Sequence, residues 1–147
     1  MKFILPLKRA AIKNIVPSSK LLKRVTELSP GENGSGIAKF PKDKNHFPKR
    51  PVAKATEILQ ANAELGELVY WGFKKPAEKV FLGWKLSITI KEGVPQLTPF
   101  YIEVFVKKMS KESTKGKIEF KGYFDKEKKF LAVEGEFLFC VRDENNI

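Results

Sequence analysis

Two residue types that often perform chemistry occur only once in this sequence, as His46 and Cys140. An imidazole exchanges protons near neutral pH, so any mechanism that needs one must use His46. The same count excludes a metal centre with several histidine ligands, and a single thiol supplies neither an internal disulfide nor the cysteine pairs of zinc sites. Cys140 lies in a predicted strand and is expected to be a small buried hydrophobic residue. His46 is therefore the first candidate for catalysis.

The residues after His46 predict the helix that would position it. Between residues 52 and 69 the apolar residues recur at spacings of three and four, the pattern of a largely buried helix. Pro51 stands where this helix would begin, Gly66 weakens it near its end, and Gly72 is suited to terminate it. His46 thus lies on the approach to a central helix.

Alternating patterns on both sides of this helix predict strands. After the helix they cover residues 81–90, 101–107, 117–124 and 130–141. Before it, 21–27 and 36–40 are shorter strand candidates separated by a turn over 29–34, and residues 1–16 are expected to form a short basic amphipathic helix. Together the elements predict one α+β domain over residues 1–147, with an antiparallel sheet wrapped around one long central helix.

The net charge of +11 is concentrated in the first third of the chain. Residues 1–50 carry 12 of the 28 Lys and Arg residues but only 3 of the 17 Asp and Glu residues. Such an asymmetry indicates an acidic partner, either nucleic acid, an anionic membrane surface or an acidic protein, unless it serves only solubility. Nucleic acid is disfavoured because most aromatic residues lie in strand patterns suited to a core rather than to stacking on bases.

No segment of the sequence is apolar over the length that a membrane helix or a signal peptide requires. The longest apolar stretch, residues 68–73, is far shorter than the roughly 20 residues of a membrane helix. The apolar residues near the N-terminus are interrupted by Pro6 and followed at once by Lys8 and Arg9, which is too brief for a signal peptide. We therefore expect a cytoplasmic protein with no membrane span.

The segment HFPKRPVAKATEILQANAELG, which begins at His46, resembles the active-site segment of the 3-hydroxyacyl-acyl-carrier-protein dehydratases. These are hotdog-fold enzymes in which His-Phe-Pro and a second proline lead into the central helix. The likeness extends upstream to LLKRVTELSPGENGSGIAKFPKDK, similar to the family's first hairpin, and downstream to its last three strands, so that it covers residues 15–141. The resemblance implies a hotdog fold.

The resemblance also implies a mechanism built on one imidazole and one acid. His46 falls on the family's base, which acts at carbon 2 of the acyl chain. The family's acid, which protonates the departing 3-hydroxyl, falls fourteen residues later on Gln60, and a neutral amide cannot deliver that proton. Glu64 lies one turn further along the same helix face. We therefore predict that Glu64 supplies the proton, either directly or through a water or Gln60. The alternative is that Glu64 is a solvated helix charge, as Glu57 and Glu67 also would be.

Further positions of the resemblance are expected to contact the substrate. Phe47 and Pro48 follow the histidine, and Lys54 and Ala55 stand where the family has Pro-Gly. In the family the glycine amide at this helix start polarises the thioester carbonyl, where free N–H groups and the positive end of the helix dipole favour developing negative charge.

Basic residues cluster around His46 in the sequence. They are either ordinary surface or a docking patch for an acidic acyl carrier protein and the phosphate of its phosphopantetheine arm. These residues are Lys49, Arg50 and Lys54.

The resulting expectation is a dehydratase-like hotdog protein, a homodimer or an assembly of dimers, that binds a fatty acyl thioester in a tunnel between subunits. The substrate would be carried on the phosphopantetheine of an acyl carrier protein or on coenzyme A, and no metal or redox cofactor is implied. Two alternatives remain open. One is a catalytically impaired homologue that holds acyl thioesters or carrier protein, and the other is a hotdog thioesterase, which uses a helix carboxylate with water.

Overall fold

The computed structural model describes residues 2–42, 52–108 and 114–146. These residues contain seven strands, two α-helices and one short 3-10 helix. The elements are β1 (Phe3–Lys8), α1 (Arg9–Ile15), β2 (Leu22–Ser29), β3 (Asn33–Ala38), α2 (Ala55–Trp71), β4 (Lys79–Ile90), β5 (Phe100–Lys108), β6 (Lys115–Tyr123), β7 (Leu131–Asp143) and the 3-10 helix (Glu144–Asn146). The predicted site residues His46, Phe47, Pro48, Lys49 and Arg50 lie outside the described residues.

The described strands form one antiparallel sheet in the order β1-β2-β3-β5-β6-β7-β4. Strands β1 and β4 are its two edges. Helix α2 packs across one face of this sheet, against β2, β3, β4 and β5. This arrangement confirms the predicted α+β architecture of an antiparallel sheet around one long helix.

Helix α2 is held in place by its apolar face. Its buried residues are Ile58, Ala61, Asn62, Glu64, Leu65, Gly66, Leu68 and Val69, most of them apolar. Gly66 allows a close approach to the sheet, since a Cβ there would lie 2.7 Å from the end of the Ile118 side chain. Gly72 ends the helix as predicted, at φ +73, with its N–H donating to the carbonyl of Leu68 at 2.8 Å.

The helix begins three residues later than the periodicity predicts. Val52 forms an isolated bridge with Pro95, and the N–H of Ala53 donates to the carbonyl of Val94 at 2.7 Å. These extended contacts keep the two residues out of the helix. The side chain of Glu57 then accepts a hydrogen bond from the N–H of Lys54 at 2.9 Å, which satisfies a backbone donor at the helix start.

The prediction of a helix over residues 1–16 is only half right. Residues 3–8 form β1, which pairs with β2 in the register Phe3 to Leu28, and the helix is confined to Arg9–Ile15. Burial alternates residue by residue along β1, a period of two that fits a strand. The prediction gave weight to the basic residues and missed this alternation.

Aromatic rings fill much of the core between α2 and the sheet. The largest fully buried rings are Phe40, Phe100, Phe120, Phe137 and Phe139. The strand aromatics therefore serve largely as core, as the sequence predicts, and Cys140 is also buried, with 4% of its surface exposed.

Candidate functional site

One face of α2 opens into a cavity of about 450 Å³, which we call the helix–strand cavity. The opposite wall belongs to the edge strand β4, and the chain between α1 and β2 closes one end. The helix contributes Gln60, Ala63, Glu64 and Glu67; the other lining residues are Val16, Ser18, Lys20, Phe81, Gly83, Leu86 and Phe137. Three carboxamide or carboxylate groups therefore face a space with largely apolar walls.

The carboxylate of Glu64 is buried and accepts hydrogen bonds from the segment that leads into β2. The Ser19 hydroxyl donates to Oε1 at 2.7 Å, and the backbone N–H groups of Lys20, Leu21 and Leu22 donate to the same oxygen at 3.0 to 3.1 Å. Only 5% of the Glu64 surface is exposed. The alternative that Glu64 is a solvated helix charge is therefore wrong, and its carboxylate joins α2 to β2.

Arg9 reinforces this junction from α1. Its guanidinium donates to the Ser19 hydroxyl at 2.8 Å and to the carbonyl of Leu22 at 2.6 Å. Helix α1, the start of β2 and the middle of α2 are thus connected through one polar network. Removing one member of this network should lower the stability of the fold, because its buried hydrogen-bond partners are then left unsatisfied.

Gln60 is brought into direct contact with Glu64, as their spacing of four residues predicts. The Gln60 side-chain amide donates from Nε2 to Oε2 of Glu64 at 3.0 Å. Gln60 itself is exposed to solvent. The two predicted residues therefore form a pair at the mouth of the helix–strand cavity, and their catalytic roles stay a prediction.

Glu67 is a third polar residue on this face, and the sequence interpretation assigned it no chemistry. Burial raises the pKa of the Glu67 carboxyl to about 7; the nearby charge of Glu64 also raises it, whereas that of Lys75 lowers it. A carboxyl of this kind exchanges protons near neutral pH, and such perturbed groups are frequent in functional clefts. Its position seven residues after Gln60, on the same helix face, is the signal that could have identified it.

The predicted substrate contacts at the helix start are only partly described. Lys54 caps α2, Ala55 is its first residue, and both side chains are exposed. Lys54 and Ala55 lie on the same helix as Gln60 and Glu64 but at its beginning. Their expected contact with a thioester carbonyl stays a prediction.

The described residues contain neither a metal-binding group of side chains nor a membrane-spanning helix. No three His, Cys, Asp or Glu side chains in the described part of the chain are grouped so that they could hold a metal ion. Neither α1 nor α2, within those same residues, is long and apolar enough to cross a membrane.

Comparison with solved structures identifies the fold. A hot-dog-like protein from Thermanaerovibrio acidaminovorans superposes with a TM-score of 0.64 at 12% identity, over 80% of this chain and 86% of that one. A sigma28-regulated virulence protein from Campylobacter jejuni gives a TM-score of 0.65 at 12% identity, over 92% and 89% of the two chains. A mutant thioesterase from Pseudomonas aeruginosa gives 0.60 at 11% identity, over 82% and 81%.

These likenesses, together with the seven-stranded antiparallel sheet and its packed helix, show that the chain has the hotdog fold. The fold that the sequence resemblance implied is thereby confirmed. No protein-family model matches the sequence, and no curated protein matches it. The dehydratase family implied by the HFP segment is therefore not shown at the level of sequence.

Proposed function

We propose that this protein binds an acyl thioester in the helix–strand cavity and hydrolyses it. The observation that carries the proposal is the cavity itself, in which the polar face of α2 meets the apolar side chains of Phe81, Leu86 and Phe137. Its volume lies within the range of small-molecule sites, about 300 to 1,000 Å³. An acyl chain fits the apolar wall, and a thioester group fits the polar one.

Two features of the site favour hydrolysis over dehydration. Dehydration needs a proton donor for the leaving hydroxyl, and at the expected position Gln60 is an amide. The neighbouring Glu64 is engaged by hydrogen bonds from Ser19 and three backbone N–H groups. Hydrolysis instead requires a polarised carbonyl and a positioned water whose proton passes to a base, and Glu67, which lines the same cavity and whose carboxyl pKa is raised to about 7, can take that proton. The thioesterase among the similar structures supports this choice. Dehydration is the second candidate, favoured by the HFP segment before α2.

The proposed assembly is a homodimer in which a second copy covers the cavity. Strand β4 forms the cavity wall and is an edge of the sheet, so its outer backbone groups are available for antiparallel pairing. It also presents large apolar side chains to solvent, with 39% of Trp84, 51% of Leu86 and 41% of Ile90 exposed. Pairing of two β4 strands would bury these side chains and enclose the bound acyl chain.

The reaction class can be tested with two substrates. Octanoyl-CoA is incubated with the protein and released thiol is measured, while 3-hydroxyoctanoyl-CoA is followed by the absorbance of a conjugated enoyl thioester. We expect thiol release from the first and no enoyl product from the second. Enoyl formation would instead identify a dehydratase, and binding of both compounds without turnover would identify a non-catalytic thioester-binding protein.

A gain-of-function variant makes the test sharper. Gln60→Glu places a carboxyl at the position of the family's acid, and Thr56→Glu adds the same charge at an exposed position one turn earlier on α2. If the active site is otherwise that of a dehydratase, Gln60→Glu gains enoyl formation and Thr56→Glu does not. If hydrolysis is the native reaction, neither substitution introduces dehydration.

A further inference from the structure

A second cavity, of about 480 Å³, lies at the open end of the β2–β3 hairpin. Its floor is apolar, formed by Leu21, Phe40, Pro41 and Leu97, and lysine side chains stand around it. We call it the lysine-rimmed cavity. The three lysines, all exposed, are Lys20, Lys23 and Lys39.

Pairing of β2 with β3 holds these lysines together. Leu22 lies opposite Ala38 in the register, and the N–H of Lys39 donates to the carbonyl of Leu21 at 3.2 Å. Lys20 and Lys23 are thereby placed on one side of the hairpin end and Lys39 on the other. The cluster is consequently a product of the strand register rather than of neighbouring sequence positions.

Within the described residues, the three lysines of this cluster have no ion-pair partner: no carboxylate there forms an ion pair with Lys20, Lys23 or Lys39. The acidic lining residue, Glu57, accepts a hydrogen bond from the backbone N–H of Lys54. A bound anion would therefore be attracted by three cations and opposed by one carboxylate.

Other positive charges lie near Lys23, including that of Lys39 in the same cluster. Burial lowers the pKa of the Lys23 ammonium, and the positive charges of Arg9, Lys39 and Lys13 lower it further, although Glu64 acts in the opposite direction. Like charges held at close range favour binding of an anion, which removes part of their repulsion.

The two cavities meet at Gln60 and Lys20, which line both of them. A ligand that passes Gln60 can therefore place one end in the helix–strand cavity and the other beside the lysines. Acyl thioesters of phosphopantetheine have this construction, with an apolar acyl chain at one end and a phosphate at the other. The apolar floor of the lysine-rimmed cavity suits the uncharged pantetheine arm between them.

We propose that the lysine-rimmed cavity binds the phosphate of a phosphopantetheine thioester, with Lys20, Lys23 and Lys39 as its cationic contacts. This proposal rests on the proposed function, because it assigns the other end of the same ligand. The phosphate can come from coenzyme A or from the prosthetic group of an acyl carrier protein, which share this chemistry. These three lysines are not the residues of the predicted docking patch, which are Lys49, Arg50 and Lys54.

The test compares ligands without a phosphate, with the phosphate of phosphopantetheine, and with the complete nucleotide of coenzyme A. Affinities of octanoyl-pantetheine, octanoyl-phosphopantetheine and octanoyl-CoA, each prepared as its non-hydrolysable thioether, are measured by calorimetry for the wild-type chain and for the triple variant Lys20→Ala, Lys23→Ala, Lys39→Ala. The matched control is the triple variant Lys121→Ala, Lys126→Ala, Lys129→Ala, which removes the same charge from exposed positions elsewhere. All six side chains are exposed, so both variants are expected to fold.

For the wild-type chain and the control we expect the phosphorylated ligands to bind roughly tenfold more tightly than octanoyl-pantetheine at low salt, and added salt should reduce the difference. In the Lys20, Lys23 and Lys39 variant this difference should disappear, whether or not the affinity for octanoyl-pantetheine itself changes, because Lys20 also lines the helix–strand cavity. A phosphate preference that survives in this variant, or that falls equally in the control, would overturn the proposal, as would the absence of any preference in the wild-type chain.

The same measurements separate this proposal from the proposed function. If phosphopantetheine without an acyl chain binds in a lysine-dependent manner but the octanoyl group adds no affinity, the phosphate site stands and acyl binding fails. If octanoyl-pantetheine binds but phosphate adds nothing, acyl binding stands and the phosphate site fails. Repeating the comparison with an octanoylated acyl carrier protein shows which source of phosphate depends more on the lysines.

Discussion

Glu64 is the residue on which the described part of the site depends most. Its buried carboxylate accepts hydrogen bonds from Ser19 and from three successive backbone N–H groups at the junction between α2 and β2, and from the exposed Gln60. A side chain so engaged primarily fixes the position of its neighbours. It sets the orientation of Gln60 at the mouth of the helix–strand cavity, whatever reaction takes place there.

Removing this carboxylate should therefore destabilise the whole domain. We expect Glu64→Ala to lower the free energy of unfolding by at least about 3 kcal/mol, because several buried donors lose their acceptor at about 1 to 3 kcal/mol each. The control is Glu57→Ala, which removes one helix carboxylate that accepts from the Lys54 N–H and should cost about 1 kcal/mol or less. Urea denaturation measures both. Equal losses in the two variants would contradict the structural role of Glu64.

Glu67 predicts a dependence of stability on pH. Burial raises the pKa of its carboxyl from 4.5 to about 7 on folding, so between these values the folded state binds the proton that the unfolded state has released. Stability should then fall as the pH rises from about 4 to about 8, by an amount on the order of 3 kcal/mol at most.

Glu67→Gln should remove this pH dependence and make the protein more stable than wild type at pH 8, with little difference at pH 4. Free energies of unfolding at the two pH values measure the effect, and Glu57→Gln is the matched control, since no such burial of a charge is relieved there. The contradicting result would be a wild-type stability that is unchanged or rises between about pH 4 and about pH 8, with the same behaviour in Glu67→Gln. Glu67 would then not be a buried group that titrates in this range.

The two edges of the sheet differ in a way that predicts which strand would join two copies of the chain. Both β1 and β4 are edges, and both carry exposed apolar residues, Ile4 on β1 and Leu86 on β4. Only β4 forms a wall of the helix–strand cavity. The proposed homodimer should therefore use β4 and leave β1 free.

A matched pair of substitutions tests this choice of edge. Leu86→Glu should shift the protein towards monomer, because two carboxylates would oppose each other across the paired strands. Ile4→Glu introduces the same charge at the other edge and should leave the oligomeric state unchanged. Light scattering over a range of concentrations measures both. A dimer that survives Leu86→Glu but is lost in Ile4→Glu would place the interface at β1 instead.

Most of the helices and strands could be predicted from the sequence. The four strands after α2 lie within two residues of their predicted bounds, because they are rich in β-branched and aromatic residues and are separated by turn residues, and Gly72 marks the end of the helix correctly. The strand Phe3–Lys8 was missed because its short alternation lies among basic residues. The start of α2 was placed too early because Val52 and Ala53 are apolar at helical spacing but are held in extended contacts with residues 94 and 95.

The site was less predictable, for a physical reason. Helix spacing alone brings Gln60 and Glu64 together, so their contact could be predicted. The partners that bury Glu64 lie more than 40 residues away, in the segment before β2, and only the packing of α2 on the sheet brings them near. The lysine-rimmed cavity likewise depends on the register between β2 and β3, which no local pattern specifies.

The uneven charge and the two cavities of the whole molecule are consistent with a single type of ligand. The basic first third of the chain contributes the lysines of one cavity, and α2 with β4 encloses the other. A ligand with an anionic end and an apolar end matches this distribution. We propose that the apolar end of this ligand, an acyl chain, lies in the helix–strand cavity.

The most direct test fills that cavity. Ala63 lines it, so Ala63→Phe should occupy the space of the acyl chain, whereas Thr56→Phe places the same ring at an exposed position of α2. Affinity for a non-hydrolysable octanoyl thioether of pantetheine is measured by calorimetry on both variants after their folding is verified. We predict that Ala63→Phe weakens binding at least about tenfold and that Thr56→Phe binds like wild type. If a folded Ala63→Phe variant bound the thioether with wild-type affinity, the acyl chain would not lie in the helix–strand cavity.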